Sequence, residues 1–144
     1  MEEREFQEMV LTLRQEQVKA EALTQQLTLI QSSVSEHDTA IEAIKHIKDL
    51  ASGSELIVPI GAGTYVYATL SNIDKIIIEL GSGVSAEKDP DGVVESLTKR
   101  RDELSETYKT MSEALVKTEE NVQKLQNTVQ SIVAQSQQGQ MPPR

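Results

Sequence analysis

Leu56-Ile57-Val58-Pro59-Ile60-Gly61-Ala62-Gly63-Thr64-Tyr65-Val66-Tyr67 and Ile76-Ile77-Ile78-Glu79-Leu80-Gly81-Ser82-Gly83-Val84 are two rounds of one pattern. In each, a β-branched apolar run breaks at Gly-x-Gly and resumes as a second run, and the two rounds lie about twenty residues apart. The pattern predicts four short strands, 55–60, 64–70, 75–80 and 84–88, paired as two successive β-hairpins. Ser71-Asn72-Ile73-Asp74 is the turn between them. A phosphate loop is the competing reading of such glycines. It needs Gly-Lys-Ser/Thr at the start of a helix, and both Gly-x-Gly segments lie between apolar strands instead.

These strands are apolar on both faces. Leu56, Val58 and Ile60 alternate with Ile57; Tyr65 and Tyr67 alternate with Val66 and Ala68; Ile76 and Ile78 flank Ile77. So small a sheet cannot cover two faces by itself and leaves unpaired edges. Other subunits are the simplest source of cover, so Leu56, Val58, Ile60, Tyr65, Tyr67, Ile76, Ile77 and Ile78 are read as an oligomerisation head.

On either side the apolar period changes from 2 to 3.5. Before the hairpins the repeat runs Phe6, Met9, Leu13, Glu16, Ala20, Leu23, Leu27, Ile30, Val34, His37, Ile41, Ile44, Lys48. After them it runs Val94, Leu97, Arg101, Leu104, Tyr108, Met111, Leu115, Thr118, Val122, Leu125, Val129, Ile132. Steps of three and four are the mark of a left-handed coiled-coil seam. The expected fold is therefore α+β: a long antiparallel two-helix coiled coil carrying a head of two β-hairpins. Its parts are a helix over 1–50, the head over 51–89, a second helix over 90–134 and a disordered tail over 135–144. Lys45, His46 and Lys48 suit the end of the first helix, and Asp89-Pro90-Asp91 signals the start of the second. Matching the seams from their head ends puts Lys48 near Val94, Ile41 near Arg101, His37 near Leu104 and Met9 near Ile132.

Composition narrows the function classes. The chain has 144 residues, a net charge of −9, 26% charged and 3% aromatic residues, and no cysteine. Strong acidity argues against nucleic-acid binding, which needs clustered Lys and Arg. No basic amphipathic stripe marks a membrane partner, no apolar run approaches a membrane span, and the N-terminus has no signal-peptide pattern. A cytoplasmic location is the default expectation. His37 and His46 lie nine residues apart, on different turns of one helix, with no Cys or His partner to complete a zinc site. No base accompanies the serines as in a nucleophilic site. Neither an enzyme nor a metal or other cofactor is expected.

Helix, two hairpins and helix, with the two glycine-bounded segments quoted above, resembles the α-type subunits of the prefoldin family over about Glu3 to Ala134. The resemblance implies a hetero-hexamer in which two α-type and four β-type subunits join their hairpins into a β-barrel platform from which the coiled coils project. It further implies an ATP-independent chaperone that captures non-native polypeptides at the coiled-coil tips and delivers them to a group II chaperonin. In an antiparallel hairpin the chain ends form the tip, so Phe6, Met9, Val10, Leu13, Val129, Ile132 and Val133 are the candidate client-binding residues. The bland alternative is that they complete the coiled-coil core. A second functional reading keeps the head but makes the chain a homomeric or filament-forming scaffold without general chaperone activity.

Overall fold

The computed structural model describes residues 2–139, with the backbone alone for 138 and 139. The chain forms α1 (Glu3–Lys48), β1 (Glu55–Gly61), β2 (Thr64–Thr69), β3 (Ile76–Gly81), β4 (Val84–Lys88) and α2 (Pro90–Gly139). Two small antiparallel sheets, β1–β2 and β3–β4, therefore stand between two long helices.

Both helix ends depart slightly from expectation. The first helix stops at Lys48, and Asp49 and Leu50 donate to the carbonyls of His46 and Ile47 at 3.1 and 3.0 Å. These i→i+3 bonds tighten the final turn and satisfy carbonyls that the helix would leave open. The second helix continues to Gly139 rather than ending at Ala134. Gln135, Gln137 and Gln138 are good helix formers and no breaker precedes Gly139, so residues 135–139 extend the helix where a disordered tail was expected. Residues 140–144 of that expected tail lie outside the described residues. At the start of α2, Val93 donates to the Asp89 carbonyl at 3.0 Å, closing the first turn.

The hairpins share one turn geometry. Ala62 and Gly63 have φ of 51° and 72°, and Ser82 and Gly83 have 51° and 78°. Positive φ at both loop residues is the requirement of a type I′ turn, whose twist matches that of the flanking strands. The register runs Glu55 opposite Thr69 to Pro59 opposite Tyr65, then shifts by one residue before Gly61 meets Thr64. The second hairpin repeats the shift between Glu79 and Gly81. Beyond β1–β2, Gly53 donates to Leu70 at 2.7 Å and Leu70 to Ser54 at 2.9 Å, which closes the open end of the ribbon. Pro59 is tolerated because each strand of a two-stranded ribbon has an edge that needs no donor.

The chain divides into two compact units. One combines residues 32–104 and contains the hairpins with the adjoining helix segments. Its core is Ile44 from α1, Ile78 from β3 and Val93 from α2, with Ile76, Val94 and Leu97 packed against them. Ile41 is also buried. Two ion pairs connect the helix segments here: Lys48 with Asp91, and Arg101 with Asp38 at 3.0 Å. Early α2 residues thus meet late α1 residues, which is antiparallel pairing. Each pair lies one turn from the seam partner expected for its cation, Val94 for Lys48 and Ile41 for Arg101.

The other unit pairs α1 up to Gln31 with α2 from Ser105. Leu27 and Thr118 are buried in it. Thr118 satisfies its hydroxyl within its own helix, donating to the Ala114 carbonyl at 2.8 Å, so a polar seam residue costs little there. Glu16 differs. It lines a cleft of about 300 Å³ with Thr12, Asn121, Lys124 and Leu125, and its buried Oε2 has no hydrogen-bond partner among the described residues. This is a built-in weak layer of the seam.

Glu16→Leu is expected to stabilise the helix pair by about 1–3 kcal/mol, because an apolar seam residue replaces an unsatisfied polar one. Urea unfolding followed by circular dichroism checks this, and an unchanged or lower midpoint would show that the layer is not a weakness. Gly83→Ala is expected to loosen the second hairpin by about 1–2 kcal/mol, since no side chain blocks the site and only its left-handed backbone opposes a Cβ. Hydrogen exchange at the β3 and β4 amides reads the change.

Candidate assembly and capture surfaces

The second hairpin is anchored by polar contacts as well as by its core. Arg100 donates to the Glu79 carbonyl at 3.0 Å, and the Lys88 ammonium donates to the Ser96 hydroxyl at 3.2 Å. Lys75 and Glu87 approach to 3.9 Å between the paired strands. With one face fixed against the helices, strand alternation turns the next residue outward. Ile78 is 5% exposed and its neighbour Ile77 is 71% exposed. Of the expected head residues, Ile78 therefore holds the hairpin to its own chain rather than lining an outer surface. Ile76 is half-buried beside it.

The first hairpin has no comparable core. Val58, Ile60, Tyr65 and Tyr67 are all exposed, Tyr67 to 77%, and only Leu56 of its expected residues is half-buried. Ile57 and Val66 are exposed as well, Ile57 on the face of Tyr65 and Tyr67 and Val66 on that of Val58, although the expected head set omitted them. Their place in the alternation was visible in the sequence. What the sequence did not show was that one face of this ribbon would be open throughout and the other covered only around the Leu56–Ala68 pair.

A groove of about 480 Å³ runs beside the anchored hairpin, lined by Ala40 and Ile44 of α1, Ile77 of β3, Leu97 of α2, and His37 and Arg100 at its polar margin. The His37 ring is held by its own helix, with Nδ1 2.7 Å from the Ser33 carbonyl. It is thus a half-buried seam residue with a local partner. The charges around the helix bases are structural in character. Hydrogen bonding to Asp91, with its negative charge, raises the Lys48 pKa above the ordinary lysine value. Asp38 first, and then Asp102, do the same for Arg101. A raised cation pKa gives stability that is present below the unfolded-state value and lost only as pH rises through the folded-state value. Both cations therefore keep their charge at neutral pH and supply no switch there. Both lie at the solvent, where such pairs contribute little.

The expected capture residues lie at the free ends of the paired helices. Phe6, Met9, Val10 and Leu13 of α1 and Val129 and Ile132 of α2 are half-buried, while Val133 is exposed. They are neither enclosed in a core nor fully displayed, as the last turns of a two-helix seam require, since each side chain there has a partner on one side only. Among the described residues, no helix is long and apolar enough to cross a membrane.

Comparison with known proteins agrees with this architecture. A family model described as "Prefoldin subunit" matches residues 17–135. A "Prefoldin subunit alpha" from Methanosarcina mazei is 35% identical over 119 residues, covering 81% of this chain and 84% of the relative. Another of the same name from Methanothrix thermoacetophila is 37% identical, covering 76% of this chain and 72% of the relative. Among solved structures, a chain from the cryo-EM structure of "filamentous PFD from Methanocaldococcus jannaschii" superposes with a TM-score of 0.66, at 17% identity, over 85% of this chain and 95% of its own. Two long helices enclosing two β-hairpins, matched by sequence over most of their length, place this chain in the prefoldin family.

Proposed function

We propose that this chain is the α-type subunit of a hetero-hexameric, ATP-independent holdase, joined to β-type subunits through its hairpins and capturing non-native polypeptides with the ends of its helix pair. The observation that carries the reading is the uncovered apolar surface of the two hairpins, seen together with membership of a chaperone family. Ile57, Ile60, Tyr65, Tyr67 and Ile77 would be an aggregation hazard on a solitary chain. Addition of neighbouring strands satisfies the ribbon edges and the exposed side chains together, and a closed barrel removes the edges altogether.

Phe6, Met9, Val10, Leu13, Val129, Ile132 and Val133 then form the capture site at the chain ends. A ring supplies contact area and a thioether adapts its shape, which suits clients without a fixed structure. Each contact is weak, so affinity comes from several helix pairs acting on one client. No nucleotide step is needed, because release follows from the weakness of each contact. Handover goes to a group II chaperonin, and the complex works in the cytoplasm.

The first test is the native mass of this chain alone and after mixing with a β-type subunit. A hexamer of two and four supports the reading. A stable homomeric particle or filament indifferent to that partner replaces it with a scaffold. In the assembled complex, Ile77→Asp is expected to break the oligomer while leaving the helical circular dichroism intact, and an unchanged mass would remove β3 from the interface. Deleting residues before Gln15 and after Asn127 is expected to abolish suppression of aggregation of a chemically denatured protein without changing the native mass. Retained suppression would place client capture elsewhere.

A further inference from the structure

The seam explains only one side of α1. Three large aliphatic residues outside it, Leu11, Val18 and Leu29, are 56%, 62% and 70% exposed. They are not scattered. Leu11 stands two residues after the seam position Met9, Val18 two after Glu16, and Leu29 two after Leu27. Two residues turn a helix by about 200°, so this row lies on the side of α1 facing away from α2. Between Glu8 and Ser32, which stand two residues after Phe6 and Ile30, the row is Leu11, Gln15, Val18, Ala22, Gln25 and Leu29, with the same steps of four and three as the seam. In α1 apolar residues thus occupy two opposed faces, whereas α2 is more one-sided.

We infer that this outer face of α1 is a second capture surface, which takes an extended apolar segment of a non-native polypeptide and continues the terminal site along the helix. The inference rests on the capture reading above and gives that site its length, about 27 Å from Leu11 to Leu29. Three features select this occupant. First, each large aliphatic side chain can bury roughly 100 Å², so the row offers about 300 Å². A stable protein–protein interface needs about 800 Å² from each partner, which a second copy docked here would lack. Second, a fixed helical partner would trap Gln15 and Gln25 within its seam. To an unfolded segment the same amides offer donors and acceptors for backbone groups that are not yet paired. Third, from Leu11 to Leu29 the row carries no charge and its first member adjoins Val10 of the terminal site, while the exposed ion pair of Arg4 with Glu8 marks the row's outer end.

The test uses the full complex with β-type subunits and a fluorescently labelled, reduced and carboxymethylated α-lactalbumin, which stays unfolded. A triple variant, Leu11→Gln with Val18→Gln and Leu29→Gln, keeps good helix formers at exposed positions. A second variant, Phe6→Gln with Val133→Gln, disables the chain ends. The expected result is roughly tenfold weaker binding by the triple variant, with native mass and melting curve unchanged. Unchanged binding by the triple variant, with binding lost in the end variant, overturns the inference and leaves terminal capture standing. Full binding by both variants overturns terminal capture as well. A changed native mass in the triple variant makes the face a subunit contact and likewise overturns the inference.

Discussion

The packing of Ile78 against Ile44 and Val93 is the contact on which the rest of the head depends. Two helix segments and one strand supply a single side chain each, and no pair of them alone would exclude water from the third. Once Ile78 is inside, the two-residue period of β3 leaves no choice for Ile77, which turns to solvent. Arg100 on the Glu79 carbonyl and Lys88 on Ser96 keep the ribbon from sliding. The small core thus fixes which apolar face this chain keeps and which it turns to solvent.

The first hairpin shows the same local chemistry without that constraint. Its turn, register shift and positive-φ pair match those of the second hairpin. No buried residue anchors it, and its aromatic and branched side chains remain outside. An isolated two-stranded ribbon is marginal in water. In the proposed assembly its order comes from the strands of its partners, which links assembly to folding.

In the paired helix ends, stability is held back where adaptability is useful. A seam of leucines throughout would bury more surface and hold its ends more firmly. Glu16 interrupts it with a buried oxygen that no described residue satisfies, whereas Thr118 does so at little cost through its own helix. The half-buried residues beyond Glu16 can therefore part more readily than those around Leu27. The proposed capture of clients at these ends calls for such a gradient, because a rigid end would hide its apolar atoms.

The strands, the turns and both seams were legible in the sequence because each depends on neighbours within a few residues. Alternation marks a strand, Gly-x-Gly permits the I′ turn, and steps of three and four mark a helix with one wet face. The helix ends were less legible, since Gln135 to Gln138 look like a linker by composition yet have every propensity to continue α2. Tertiary structure alone decided that Ile78 is internal and Ile77 external, that the first hairpin has no fully buried residue, and that the buried oxygen of Glu16 has no partner among the described residues. It also exposed the row of Leu11, Val18 and Leu29, whose period was present in the sequence beneath the stronger seam. The physical reason is common to all four: periodicity states which residues share a face, and only the packing of distant segments states whether that face meets protein or water.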